Sequence, residues 1–133
     1  MDDRMRQLVI EDLHRARHGH GLAADFDGEG SEFSPSCGDA VTVRLSGESF
    51  TWEGNGCTVS MAAASALGTF TLADFERLRE AYLASVLPDG EPVEGDLAAF
   101  AGIGRFPLRA RCATLAWRAA ETAVSGGAAS GSP

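Results

Sequence analysis

Three cysteines and one aspartate are the residues of this chain best suited to chemistry: Cys37 and Asp39 in SPSCGD, Cys57 in NGCTVS, and Cys112 in RARCATLAW. Side chains two apart in an extended segment project to the same side, so Cys37 and Asp39 can reach one ion. Gly38 between them removes bulk that would crowd a metal, and Pro35 stiffens the approach. Cys57 and Cys112 are each predicted near the first turn of a helix, where unpaired N–H groups and the helix dipole favour a thiolate. Three sulfurs and one carboxylate oxygen form the four-coordinate set that suits zinc. The paired CxxC spacing of common zinc modules is absent. By spacing alone the metal signal is weak, and a small buried hydrophobe is the commoner role of an isolated cysteine.

Composition narrows the setting. The 133 residues, 44% of them hydrophobic, are expected to form one domain over 1–124, with a disordered tail, SGGAASGSP, at 125–133. Eleven Lys plus Arg against nineteen Asp plus Glu give a net charge of −8, which repels a phosphate backbone, so nucleic acid is excluded as a partner. The densest basic run, Arg105, Arg109 and Arg111, is too short for a nucleic-acid footprint. No apolar run approaches the roughly 20 residues that span a bilayer, and the N-terminus alternates charged with apolar residues. The expectation is a cytoplasmic protein with no membrane contact. An odd number of cysteines also rules out a complete intramolecular disulfide set.

The elements that must position the four donors follow from periodicity. Met5, Leu8, Val9, Leu13 and Ala16 define one face of an N-terminal helix that ends near Gly19 and Gly21. GLAADFDGEGSEFSP shows no period and reads as a connecting loop. Val41, Val43 and Leu45, then Phe50 and Trp52, alternate with polar residues around an SGE turn and predict a β-hairpin. TVSMAAASALGTF predicts a tightly packed helix beginning beside Cys57. Thr71 and Asp74 form a capping box for a helix carrying Leu72, Phe75, Leu78, Tyr82 and Val86, which stops before Pro88. DLAAFAGI reads as a short helix, and Pro107 opens a last helix with Leu108, Cys112, Leu115, Ala116 and Ala119 on its apolar face. The fold class is α+β, a small antiparallel sheet of about three strands with helices on one face.

SPSCGD, WEGNGCTVSMAAASAL and RFPLRARCATLAW together resemble the three cysteine motifs of the SufU/IscU (NifU N-terminal-like) iron-sulfur cluster assembly family, over roughly residues 5 to 122. The insertion LPDGEPVEGD, and Arg111 where IscU-type scaffolds carry a histidine, resemble the zinc-dependent SufU branch. The asparagine-proline motif that usually follows the family's first helix is replaced by RHGHGLAAD. The resemblance implies zinc held by Cys37, Asp39, Cys57 and Cys112, with Cys37 as the acceptor of persulfide sulfur. The implied donor is a pyridoxal-phosphate-dependent cysteine desulfurase of the SufS type, with downstream iron-sulfur assembly proteins as recipients. The chain is then a sulfurtransferase partner of that enzyme. The alternatives are a scaffold carrying a transient iron-sulfur cluster on the same ligands, and a protein with a purely structural zinc.

Other candidates compete with plainer readings. His14, His18 and His20 read as helix-terminal residues rather than as a second metal site. Ser60 and Ser65 lack a GxSxG elbow and read as packing residues. Trp52 and Trp117 read as core or rim residues shielding the cysteine motifs. Arg109 is a candidate contact for an anionic persulfide or an acidic partner group, against the alternative of an ordinary surface arginine.

Overall fold

The computed structural model describes residues 1–36 and 38–126. The readings placed on Cys37, and on the tail from residue 127 onward, lie outside the described residues.

Helix α1 spans Asp3–Ala16. Asp2 caps it by accepting the Met5 N–H, and Arg17 ends it in the left-handed region, with its own N–H returned to the Leu13 carbonyl. The face that docks is Val9, Ile10 and Leu13, while Met5 and Leu8 are exposed. The stripe is rotated from the expected one because Arg6 takes an inward position. The residue is half-buried and its guanidinium donates to the Ala101 carbonyl at 2.8 Å.

Three strands follow, β1 (Gly28–Ser34), β2 (Asp39–Ser46) and β3 (Ser49–Asn55), paired antiparallel in the order β1-β2-β3. The β2–β3 hairpin turns over Gly47 and Glu48, with Gly47 at a φ of 62° that glycine adopts without strain. On β2 every second residue, Asp39, Val41, Val43 and Leu45, is buried, so Asp39 occupies the first inward-facing position of the strand. Gly28–Ser34 corrects the reading of this stretch as loop. Its inward positions alternate as expected of a strand, but Gly28 and Gly30 occupy them and supply no hydrophobic signal. A Cβ at Gly28 would strike the Ala123 carbonyl, and one at Gly30 the Ala119 carbonyl. The last helix therefore lies directly against strand backbone.

The remaining helices are α2 (Thr58–Leu67), α3 (Leu72–Ser85) and α4 (Pro107–Val124), with two 3-10 turns at Gly95–Phe100 and Ile103–Arg105 before α4. The Thr71–Asp74 capping box opens α3 with both reciprocal hydrogen bonds, and Pro107 stands at the start of α4. Helix α4 packs on β1 and β2 and also against α2, and α1 packs on α2, so the helices cover one face of the sheet. Trp52 and Trp117 are both fully buried, in the core rather than at a rim. Tyr82 stacks on Trp117 at 4.3 Å and donates its hydroxyl to the Ala113 carbonyl. The other face of the sheet is crossed by the chain before β1. There Arg44 pairs with Glu29 at 2.7 Å, donates to the Ala23 carbonyl and lies beneath the Phe26 ring. No helix among the described residues is long and apolar enough to cross a membrane.

Because α4 rests on bare backbone at Gly30, Gly30→Ala is expected to push the helix off the strand and cost about 1–3 kcal/mol. Chemical denaturation with an unchanged m-value checks this, and a variant as stable as the parent contradicts the packing.

Candidate metal centre

Asp39, Cys57 and Cys112 come from β2, from the residue before α2 and from α4, and the fold brings them to one point. Their ligand atoms all lie within 4.8 Å of one another. Asp39 is there because it is the inward residue at the start of β2. Cys57 is there because GNG ends β3 and lets the chain turn into α2, with Cys57 in extended conformation as the N-cap residue. Cys112 is the sixth residue of α4, on the face turned toward the sheet. The first turn predicted for Cys112 is thus corrected to the second, where the helix dipole has faded. In the metal-free protein its thiol instead donates to the Asp39 carboxylate beside it.

One oxygen organises the cluster. Asp39 Oδ2 accepts the Cys57 backbone N–H at 3.3 Å, the Ser60 hydroxyl at 2.9 Å and the Cys112 thiol at 3.3 Å. Burial pushes the Asp39 carboxyl up, but the hydrogen bonds from Ser60, Cys112 and Cys57 outweigh it and hold the group below its ordinary value. The carboxylate is therefore charged at neutral pH and ready to act as a ligand. Asp39 and Cys112 are buried, and Cys57 is exposed.

Two sulfurs and one carboxylate oxygen fit a thiophilic divalent ion by their chemistry. Above them a groove of about 780 Å³ opens past Cys57 and Cys112. Arg105, Phe106, Leu108 and Arg109 line it, with Phe106 and Leu108 exposed and the Arg109 guanidinium 5.2 Å above the Phe106 ring. Leu108, expected on the apolar face of α4, is thus turned to this groove instead of the core.

The histidines do not join the cluster. The His18 carbonyl accepts the Trp52 indole N–H at 2.7 Å, and the His20 ring stands edge-on to Trp52 at 4.9 Å. Ser65 is fully buried and its hydroxyl oxygen accepts the His18 N–H, a structural contact. Ser60, read from sequence as packing, reaches Asp39. The available signal was its place three residues after Cys57, where an N-terminal helix side chain leans back over the cap.

No family model matches the chain. The zinc-dependent sulfurtransferase SufU of Bacillus subtilis (strain 168) is 36% identical, over 94% of this chain and 92% of that protein. The iron-sulfur cluster assembly scaffold protein IscU of Streptococcus pyogenes serotype M1 is 31% identical, over 87% of this chain and 80% of that protein. Among solved structures, the N-terminal part of a nitrogen-fixing NifU-like protein from Brucella abortus superposes with a TM-score of 0.80 at 19% identity, covering 95% of this chain and 97% of that one. A candidate iron-sulfur cluster assembly scaffold for the SUF system from Fervidobacterium islandicum AW-1 gives 0.70 at 22% identity, covering 87% and 93%. At those identities the structures establish the fold, α+β with a three-stranded antiparallel sheet.

The difference in burial sets an order of reactivity. In metal-free protein, iodoacetamide is expected to modify Cys57 well before Cys112, which is only 3% exposed. Peptide mapping by mass spectrometry over a time course reads the order, and equal rates contradict the placement of Cys112.

Proposed function

Because the chain belongs to the SufU/IscU family of iron-sulfur cluster assembly proteins, we propose that it is a cytoplasmic, zinc-dependent sulfur acceptor. It takes persulfide sulfur from a pyridoxal-phosphate-dependent cysteine desulfurase of the SufS type and passes it to downstream assembly proteins. The working unit is the domain 1–124. The observation that carries this reading is the convergence of Asp39, Cys57 and Cys112 within 4.8 Å from three separate segments.

Cys37, two residues before Asp39, is the fourth donor in this reading and the acceptor of sulfur. Bound by these residues, zinc keeps the thiols deprotonated and ties the three segments together. In the transfer, the Cys37 thiolate attacks the outer sulfur of the desulfurase persulfide. A new S–S bond forms at Cys37 as the old one breaks, the desulfurase cysteine leaves as a thiolate, and the proton stays on the transferred sulfur. No external oxidant or reductant is consumed. Asp39 keeps its charge through this step, so a carboxylate oxygen remains available at the centre. Arg109, in the groove beside Cys112, is placed to pair with the persulfide once it has lost its proton, or with an acidic group of the desulfurase.

A second reading, a scaffold on which an iron-sulfur cluster is the cargo, is favoured by the relative named as an IscU scaffold. A third, structural zinc alone, keeps the ligands without the transfer.

Two measurements separate these readings. The purified protein is expected to carry close to one zinc per chain by elemental analysis; stoichiometric iron and sulfide without zinc favour the scaffold. Cys37→Ser is expected to abolish stimulation of the desulfurase while circular dichroism stays unchanged, because Asp39, Cys57 and Cys112 still hold the centre. Full stimulation by Cys37→Ser moves the acceptor role to another cysteine, and a parent protein that fails to stimulate at all leaves the structural reading.

A further inference from the structure

Ser60 is fully buried, and its hydroxyl lies 2.9 Å from Asp39 Oδ2, 3.1 Å from the Cys57 carbonyl and 3.7 Å from Cys57 Sγ. A serine hydroxyl has a single proton to give. Of the three neighbours the carboxylate is the nearest and the best charged acceptor, so the proton goes to Asp39. The same oxygen also takes the Cys57 N–H and the Cys112 thiol. A metal-ligating cysteine is a thiolate and has no proton to donate. When Cys112 ligates, the hydroxyl of Ser60 and the N–H of Cys57 are, among the described residues, the donors that remain on Oδ2.

Gly56 supplies an independent observation. A Cβ there would strike Ser60 Oγ and stand 2.7 Å from Asp39 Cγ. The serine–aspartate pair is therefore seated against bare backbone at the one residue between β3 and Cys57, and the approach is possible because that residue is glycine.

We propose that Ser60 is the positioning residue of the metal centre, holding the Asp39 carboxylate in one orientation as a single-oxygen ligand. Among the described residues, two donors fasten Oδ2 to the start of α2, which opposes a turn of both oxygens toward one ion. Single-oxygen ligation matches a small four-coordinate ion and disfavours larger ions that take carboxylates through both oxygens. Gly56 makes the room. This inference rests on Asp39 being a ligand, as argued above.

The test uses full-length protein and the variants Ser60→Ala, Gly56→Ala, Asp39→Ala and the Ser60→Ala/Asp39→Ala double. Zn2+ affinity is measured by competition with a chromophoric chelator, and Co2+ is titrated as a spectroscopic probe of the ligand set. Ser60→Ala is expected to weaken Zn2+ binding by about 10–100-fold. It should alter the Co2+ d–d bands while the thiolate charge-transfer bands remain, with an unchanged circular dichroism spectrum. Gly56→Ala should give the same loss with the hydroxyl still in place, which keeps the test open if Ser60→Ala folds poorly. The double variant should bind no more weakly than Asp39→Ala, because the serine acts through the aspartate. Parent-like affinity and Co2+ spectra in Ser60→Ala and Gly56→Ala, or losses that add in the double variant, overturn the role of Ser60 alone. Parent-like binding by Asp39→Ala overturns it together with the ligand assignment of Asp39.

Discussion

The buried carboxylate of Asp39 is the constraint on which the arrangement of this molecule turns. An ionised carboxylate removed from water is costly unless donors surround it. Its donors come from the turn into α2, from Ser60 within α2 and from Cys112 of α4, so satisfying one charge fixes one strand and two helices relative to one another. The same fixing brings the ligand atoms of Asp39, Cys57 and Cys112 together. Stability and site geometry thus share one set of hydrogen bonds.

The second constraint is how closely α4 approaches the sheet. Glycine at 28 and 30 lets the helix backbone descend onto β1, and the small residues Ala116, Ala119, Ala120 and Ala123 complete the contact from the helix side. With α4 seated there, Cys112 faces the sheet, while Leu108 and Arg109 near the helix start are left facing the groove. On the far side of α4, Trp117 packs among Phe70, Phe75 and Tyr82. Burial raises the Tyr82 hydroxyl far above its ordinary value, so it stays neutral and holds the Ala113 carbonyl close behind Cys112.

These features are what the proposed sulfur-acceptor role would use. Among the described ligands, Cys57 is exposed at the edge of the cluster while Asp39 and Cys112 are enclosed. The groove carries charge of both signs, with Arg105 and Arg109 on the side of Phe106 and Leu108, and Asp3 and Glu11 contributed by α1.

The sequence by itself determined what depends on local pattern: the hairpin from the alternation of Val41 to Trp52, α3 from its capping box, the start of α4 from Pro107, and the donor types from the three cysteine motifs. Strand β1 was hidden because its inward residues are glycines, which fill their positions without side chains and leave no hydrophobic period to read. The face of α1 was misplaced because Arg6, which looks solvent-facing in sequence, turns inward and sends its guanidinium to the Ala101 carbonyl. Spacing could name Asp39, Cys57 and Cys112 but could not bring them together, since their proximity comes from β2, α2 and α4 meeting through packing. Ser60 and Ser65 are both fully buried serines of one helix. The place of Ser60 three residues after Cys57 puts its hydroxyl at the helix start, but that the Asp39 carboxylate stands there was decided only by β2 meeting α2 in the assembled molecule.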